Sequence, residues 1–311
     1  MVVDAVRSVV SGADAADAED VELIVTDNSV DDATDAAVRP LLEAWPGPTR
    51  YVHNDPPVGM VGNFNRCVEL ATGEWIHILH DDDYLVPGGL DRMLTTLRHL
   101  SESDRAVLFG VRVVDGAGGR LLRLQVPLVR RRLRPEQALR RHLSRSSYVR
   151  FPAIVLRRDV HAEVGPFDDS VKAATDLDMW ARVFSAVGIR LEPKVVAEYV
   201  VHPAAATERM FTAEYVDTIC EIFDRVVRSG TLPEAEVRRA ESHWFHQFVL
   251  AGTYRHWRGN DPAAARRVLA LFEEDALEHL PASWRWKPMR RAFAVAVGRD
   301  DDRDERSVTG S

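Results

Sequence analysis

Short apolar strands that alternate with amphipathic helices run through the first half of the chain, and no other feature limits its fold as tightly. VELIVT (21–26), RYVH (50–53) and EWIHILH (74–80) read as buried strands, while 2–10, 32–44 and 59–72 carry apolar residues at helical spacing. Pro87 opens a further helix to about Leu100, because proline suits a first helical turn. Such repetition gives βαβ units, an α/β fold and a mixed, mostly parallel sheet of Rossmann type with flanking helices. Ligands of these sheets bind beyond the carboxyl ends of the strands. Two of the three strands end there in acid: VELIVT runs into Asp27-Asn28-Ser29, and EWIHILH into Asp81-Asp82-Asp83.

The spacing then becomes less regular. AVLFGVRVVD (106–115) and RLLRLQV (120–126) flank a glycine-rich turn and read as a hairpin. Residues 129–145 read as a loop and a helix, FPAIVLRR (151–158) as a strand, and VGPFDDS (164–170) as a turn. A helix starts near Thr175-Asp176, and VVAEYVVH (195–202) is a last strand. From about 208 to 297 the pattern is helical, with breaks at Gly230–Pro233, Gly259–Pro262 and Pro281. Residues 298–311 are charged and poor in apolar side chains, which predicts a disordered tail.

Composition removes several classes. At 46% apolar the chain has material for a real core, and no run reaches the roughly 18 residues of a membrane span. Met1 is followed by neither the basic flank nor the cleavage site of a secretory signal. Cys67 and Cys220 allow no disulfide framework and show no zinc-ligand spacing, so a reduced, cytoplasmic protein is expected. A net charge of −8 speaks against nucleic acid as a partner. The basic charge is almost all arginine, and the run Arg130–Arg145 holds seven arginines against the single acid Glu136. That run reads either as a solvated loop and helix face or as a site for an anionic partner, including peripheral contact with a membrane through Leu128, Leu133, Leu139 and Leu143.

Carboxylates at the end of a strand suit a hard divalent cation, which takes one or two of them and shares its other positions with substrate phosphate and water. The plainer reading of Asp81–Asp83 is a solvated acidic turn ahead of the Pro87 helix. Ser29 with Asp32, and Thr175 with Asp178, have the spacing of capping boxes.

The run VGNFNRCVELATGEWIHILHDDDYLVPGGL (61–90) resembles the centre of family 2 glycosyltransferases of the GT-A fold. ELIVTDNSVDDAT (22–34) is similar to that family's second strand and its nucleotide-contacting Asp. FPAIVLRRDVHAEVGPFDDSVKAATDLDMWARV (151–183) resembles the acceptor half, and YVVHP (199–203) the strand and His that follow. The resemblance covers roughly 1–205, in order, and leaves the later helices unmatched.

The resemblance implies an inverting, metal-dependent transferase that moves a sugar from a UDP-, GDP- or dTDP-sugar to a saccharide or lipid-linked acceptor in cell-surface polysaccharide synthesis. It implies Mg²⁺ or Mn²⁺ as cofactor, held by Asp82, Asp83 and His202, with His80 also within ligand reach. Asp27, Ser29, Asn65, Arg66 and Asp81 fall at donor-binding positions. Asp176 matches the proposed general base, with Asp178 and Trp180 on the acceptor side. Trp180 serves equally well as core at this spacing, and His53 and His77 read as structural. The implied organisation is a donor half (1–118), an acceptor half (119–205), a helical region (206–297) and the tail (298–311).

Three departures qualify this. The family's first apolar strand and its P-T-Y-N-R-like loop have no counterpart, since Met1 stands where the following helix begins. A longer natural chain is expected, or else a repair of the gap by pairing in a homodimer. Phe64 stands where relatives often carry Arg, and Thr175 where Glu is usual. A non-catalytic nucleotide-sugar binder or truncated fragment is the rival reading.

Overall fold

The structure is a computed structural model that describes residues 1–12, 18–116, 119–145, 147–202, 210–277, 280 and 286–308, with side chains to 298. It forms two compact units, Met1–Leu139 with Val149–Pro203, and Arg140–Tyr148 with Ala204–Ser311. The expected donor half (1–118) lies in the first unit, and the expected acceptor half (119–205) is divided, with 140–148 in the second.

In the first unit, α1 (Val2–Val10), β1 (Leu23–Asp27), α2 (Ala33–Glu43), β2 (Thr49–His53) and α3 (Gly59–Leu70) follow the expected order. β1 and β2 pair in parallel, from Leu23↔Thr49 to Asp27↔His53. The apolar faces of α1 and α2 close over this ribbon, burying Val6, Val25, Val38 and Leu42 together.

The rest of the unit is built on β3 (Trp75–Ile76), β4 (Tyr84–Leu85), α4 (Gly89–Leu97), β5 (Ala106–Asp115), β6 (Leu121–Gln125) and β7 (Arg131–Leu133). These are followed by α5 (Pro135–Leu143), β8 (Ile154–Arg157), α6 (Arg158–Val164), α7 (Thr175–Val187) and β9 (Ile189–Val201). Seven strands make one sheet in the order β3-β8-β5-β9-β4, with β6 on β5 and β7 on β9. The near-continuous apolar run of β5 puts it at the centre of the sheet, paired with β9, and Val107 and Val196 are fully buried.

The sheet is mixed, but the expected preponderance of parallel pairs is not found. Parallel pairing is confined to β1–β2 and β5–β9, and the other pairs are antiparallel. The cause lies at EWIHILH, where only Trp75 and Ile76 form a ladder, with β8 on one side. Among the described residues no strand joins β3 to β1, so the two sheets stay separate. The freed stretch bends: the His77 ring bonds the Pro152 carbonyl at 3.1 Å, and the chain reaches Asp83 through a turn closed by Asp83 N–H on His80 O.

Neither predicted capping box forms. Asp32 and Ala174 occupy the N-cap positions of α2 and α7, without side-chain caps. The Arg130–Arg145 run holds the unpredicted β7, which pairs with β9 from Arg131↔Leu191 to Leu133↔Ile189. Leu133, Leu139 and Leu143 are fully buried, so α5 is a packed helix and not an interfacial one.

In the second unit, α8 (Ala213–Ser229), α9 (Glu234–Arg258), α10 (Pro262–Ala270) and α11 (Lys287–Val308) bury Ile219, Phe223, Val237 and Phe245. The breaks fall where expected. Gly230 ends α8 at φ +67, and Asp261 caps α10 by accepting from Ala264 N–H at 2.8 Å. Pro281 lies outside the described residues. α11 extends into the segment expected to be a tail. No helix among the described residues is long and apolar enough to cross a membrane.

Gly89 brings the start of α4 against β9 backbone: a Cβ there would lie 2.2 Å from the Val196 carbonyl oxygen. Gly89→Ala is therefore expected to destabilise the fold by about 1–3 kcal/mol, the range for overpacking, read as a lowered thermal midpoint.

Candidate active site

The acidic loop after β3 is built by its neighbours. Asp83 is 1% exposed. Its Oδ1 accepts the Val200 N–H of β9 at 3.0 Å, while Oδ2 is buried without a partner. Burial pushes this carboxyl up to about 7; the Val200 bond opposes the rise and Asp82 adds to it. Asp82 is half-buried, with Oδ2 3.2 Å from His202 Nε2, and Asp81 is exposed.

His80 completes the group. Its ring stacks on Phe64 at 5.0 Å and packs against Phe151 at 4.3 Å. Nε2 is buried without a partner, and burial holds the imidazole below its ordinary pKa despite the nearby Asp82 and Asp81. A neutral imidazole keeps a lone pair for a cation. One ligand atom each from His80, Asp82 and Asp83 lies within 4.8 Å of the others, the one such group of three among the described residues. An orphaned buried oxygen, an orphaned imidazole nitrogen and a second carboxylate fit a divalent cation. His202, expected among the ligands, is outside this trio and meets it only through Asp82 Oδ2.

An aromatic floor runs from His80 to α7. Phe151 meets His80 and the Trp180 edge (5.3 Å), and Phe167 meets Trp180 at 6.1 Å. Trp180 is 3% exposed, so it belongs to this floor and not to an acceptor-stacking surface. Asp176 opens α7 one turn earlier. It is exposed and accepts the Leu177 N–H at 2.7 Å, with the buried Thr175, Leu177 and Asp178 beside it. Desolvation by the protein around it raises its carboxyl above the ordinary range, opposed by the Leu177 N–H and by Arg150.

Arg150 is the residue that sequence reasoning missed. Its guanidinium lies over the Tyr199 ring at 4.5 Å, and Nε donates to Gln125 at 3.4 Å. It draws down the carboxyls of both Asp83 and Asp176, and Tyr199 senses Asp83, Asp176 and Asp82. The stacked Arg150–Tyr199 pair thus lies near enough to both the acidic loop and Asp176 for their charges to act on one another. Nothing in the sequence distinguishes Arg150 from the other arginines of the segment. Four orphaned buried atoms fall on the two segments concerned: His80 Nε2, Asp83 Oδ2, Thr175 Oγ1 and Trp180 Nε1. Such atoms are rare in native folds and gather where a ligand or water belongs.

Asp27, at the end of β1, is organised by its own loop. It accepts the Ser29 hydroxyl (2.7 Å), the Tyr51 hydroxyl (2.7 Å) and the Ser29 N–H (2.9 Å). Burial raises its carboxyl, but these bonds outweigh burial and hold it below the ordinary value. The remaining candidates serve the framework. Asn65 binds Phe167 twice, donating to its carbonyl at 3.0 Å and accepting its N–H at 2.8 Å, which fastens α3 to the 164–170 turn. This takes Asn65 from the donor-contacting set. Asp178 is 1% exposed and held by Arg182 at 2.7 Å; the same Arg182 bonds the carbonyls of Val164 and Pro166. Asp178 thus locks that turn rather than facing an acceptor. Arg66 pairs with Glu69 on the exposed side of α3.

A carboxyl raised in the folded state holds a proton that the unfolded chain has released. The Asp83 cost is absent at acid pH, grows as pH rises from the ordinary carboxylate range to about 7, and is full above that. Asp83→Asn keeps an oxygen for Val200 and removes the charge. In buffer free of divalent ions it should raise the thermal midpoint at pH 8, by up to about 4 kcal/mol of stability, and much less at pH 5.

Residues 1–165 match the protein family described as glycosyl transferase family 2. An uncharacterized protein, MT1568, from Mycobacterium tuberculosis is 27% identical over 66% of this chain and 64% of its own length. A GalNAc(5)-diNAcBac-PP-undecaprenol beta-1,3-glucosyltransferase of Campylobacter jejuni is 29% identical over 33% of the chain and 32% of its own length. The chain thus spans less than two thirds of either relative. The structure of S. aureus TarS 1–349 with UDP superposes with a TM-score of 0.62 at 14% identity, covering 100% of this chain and 88% of that one. The UDP-GlcNAc complex of the same protein gives 0.61 at 14% identity, over 97% and 84%. The fold is that of these GT-A structures, and with more than half its length matched, the chain belongs to glycosyl transferase family 2.

Proposed function

We propose that the protein transfers a sugar, with inversion, from a nucleoside-diphosphate sugar to a hydroxyl of a saccharide or lipid-linked acceptor. The observation that carries this reading is the common neighbourhood of Asp83 and Asp176 around Arg150 and Tyr199. Asp27 and Ser29, set by the loop after β1, face the nucleoside, and Asp81 lies beside it. His80, Asp82 and Asp83 are the residues to hold a divalent cation, and His202 orients Asp82. An imidazole in the set favours Mn²⁺ over Mg²⁺, which prefers oxygen alone. The bound cation would supply positive charge for the diphosphate leaving group.

Asp176 takes the proton of the acceptor hydroxyl as that oxygen bonds to the anomeric carbon. The bond from that carbon to the diphosphate oxygen breaks, and the nucleoside diphosphate leaves with the electron pair. A carboxyl raised by crowding is a stronger base than a free one, while Arg150 and the Leu177 N–H keep it from staying protonated. The TarS complexes make UDP the first nucleotide to try, and the Campylobacter relative is named for an undecaprenol-linked acceptor.

The test is release of nucleoside diphosphate from UDP-, GDP- and dTDP-sugars with Mn²⁺ and a polyprenyl-diphosphate-linked saccharide. Turnover should depend on Mn²⁺ and fall about 10²–10⁴-fold in Asp176→Asn, the usual worth of a general base, and as steeply in Asp82→Ala. Donor binding with no turnover in the parent chain would make it a non-catalytic binder. The acid limb of kcat/KM should shift to higher pH in Arg150→Gln, because removing that cation raises Asp176 further; an unmoved limb would remove Arg150 from the site.

A further inference from the structure

The hairpin strand β6 and the loop after it carry a surface that transfer chemistry does not use. Among the described residues β6 pairs with β5 alone, from Val111↔Gln125 to Val114↔Leu121, and no strand pairs with its other edge. Side chains 121–124 are exposed, so both faces of the strand meet solvent. Leu121 (51%), Leu122 (45%), Leu124 (59%), Leu128 (97%) and Val129 (53%) stand out of the protein within one short stretch. Among the described residues no other stretch exposes large apolar side chains at this density. Contiguous exposed apolar surface marks an interaction site.

The charge of the same stretch is one-sided. Residues 116–135 contain six arginines and no acid, in a chain of net charge −8. Arg130 and Arg132 are anchored toward the buried carboxylates of Glu192 (2.8 Å) and Asp104 (3.8 Å), which fixes the loop. Arg120, Arg123, Arg131 and Arg134 are exposed. The occupant must therefore offer negative charge beside apolar matter. A second copy paired along the open β6 edge would set arginine against arginine. Single-stranded nucleic acid calls for aromatic platforms, and residues 119–134 hold none. A bilayer surface presents an anionic layer over an apolar one, which matches arginines interleaved with leucines.

We propose that residues 120–134 dock the protein on an anionic membrane surface, with Leu121, Leu122, Leu124 and Leu128 in the interfacial layer and Arg120, Arg123, Arg131 and Arg134 at the headgroup phosphates. The docking strand ends beside the site: Gln125 accepts from Arg150, which lies on Tyr199. Resting on the proposed transfer, this assigns the acceptor to the lipid-linked class; the docking itself does not depend on it.

The test is co-sedimentation of the full chain with vesicles of phosphatidylcholine alone or mixed with phosphatidylglycerol, without donor or Mn²⁺. Binding should need phosphatidylglycerol and weaken by about tenfold or more both in Leu121→Ser/Leu124→Ser/Leu128→Ser and in Arg120→Gln/Arg123→Gln/Arg131→Gln. Hydrogen exchange of the parent chain on the same vesicles should slow in 120–131, a readout that survives any misfolding of the variants. Overturning results are no binding to phosphatidylglycerol vesicles, protection confined to other segments, or a dimer in free solution that the leucine variants dissociate. Vesicle binding in a chain without turnover would keep the docking and sink the transfer; turnover without vesicle binding would do the reverse.

Discussion

A carboxylate that the fold would be more stable without sets the terms for the rest of this molecule. Asp83 is held between the acidic loop and β9, with one oxygen on the Val200 N–H and the other on nothing. Buried charge without a partner is among the costliest features a fold can carry. It persists here because β9 is tied on both sides, by β5 in parallel and by β4 and β7 antiparallel, and so cannot move away. Gly89 lets α4 approach that same strand closely enough to close the loop. In the proposed function, the stability withheld at Asp83 is what a bound cation would restore, the usual relation between a strained site and its function.

From that point the site is assembled by rigid contacts. His80 is set by two aromatic rings, and those rings continue through Phe151 and Phe167 to Trp180 on α7. Asn65 and Arg182 fasten the 164–170 turn from opposite sides. Asp176, on the first turn of α7, is thereby placed relative to the acidic loop by packing, and Arg150 on Tyr199 balances the charges of the two. The residues expected to touch substrate and found inside the frame (Asn65, Asp178, Trp180) fasten the elements that carry His80 and Asp176.

What the sequence made legible follows from locality. The strands and helices of the first 70 residues, the acidic end of β1 at Asp27 and the breaks at Gly230–Pro233 and Gly259–Pro262 depend on neighbouring residues, and they stand as read. The ladder at EWIHILH did not, because a strand lasts only as long as it has a partner, and pairing is not local. Asp178 looked like a helix-cap or acceptor carboxylate because its partner, Arg182, is equally consistent with a surface pair; only burial reveals the lock. β7 hides in an arginine run whose alternation is too short to register. Arg150 carries no motif at all, and its importance comes from what lies around it in space.

The role of Asp83 can be read from binding of Mn²⁺ to the full chain, followed by loss of the free-ion electron paramagnetic resonance signal with and without UDP. The chain should bind Mn²⁺, UDP should tighten the binding, and Asp83→Asn, though at least as stable as the parent, should lose Mn²⁺ uptake with and without UDP. Equal Mn²⁺ uptake by parent and Asp83→Asn, or none by the parent with any nucleoside diphosphate, would contradict that role.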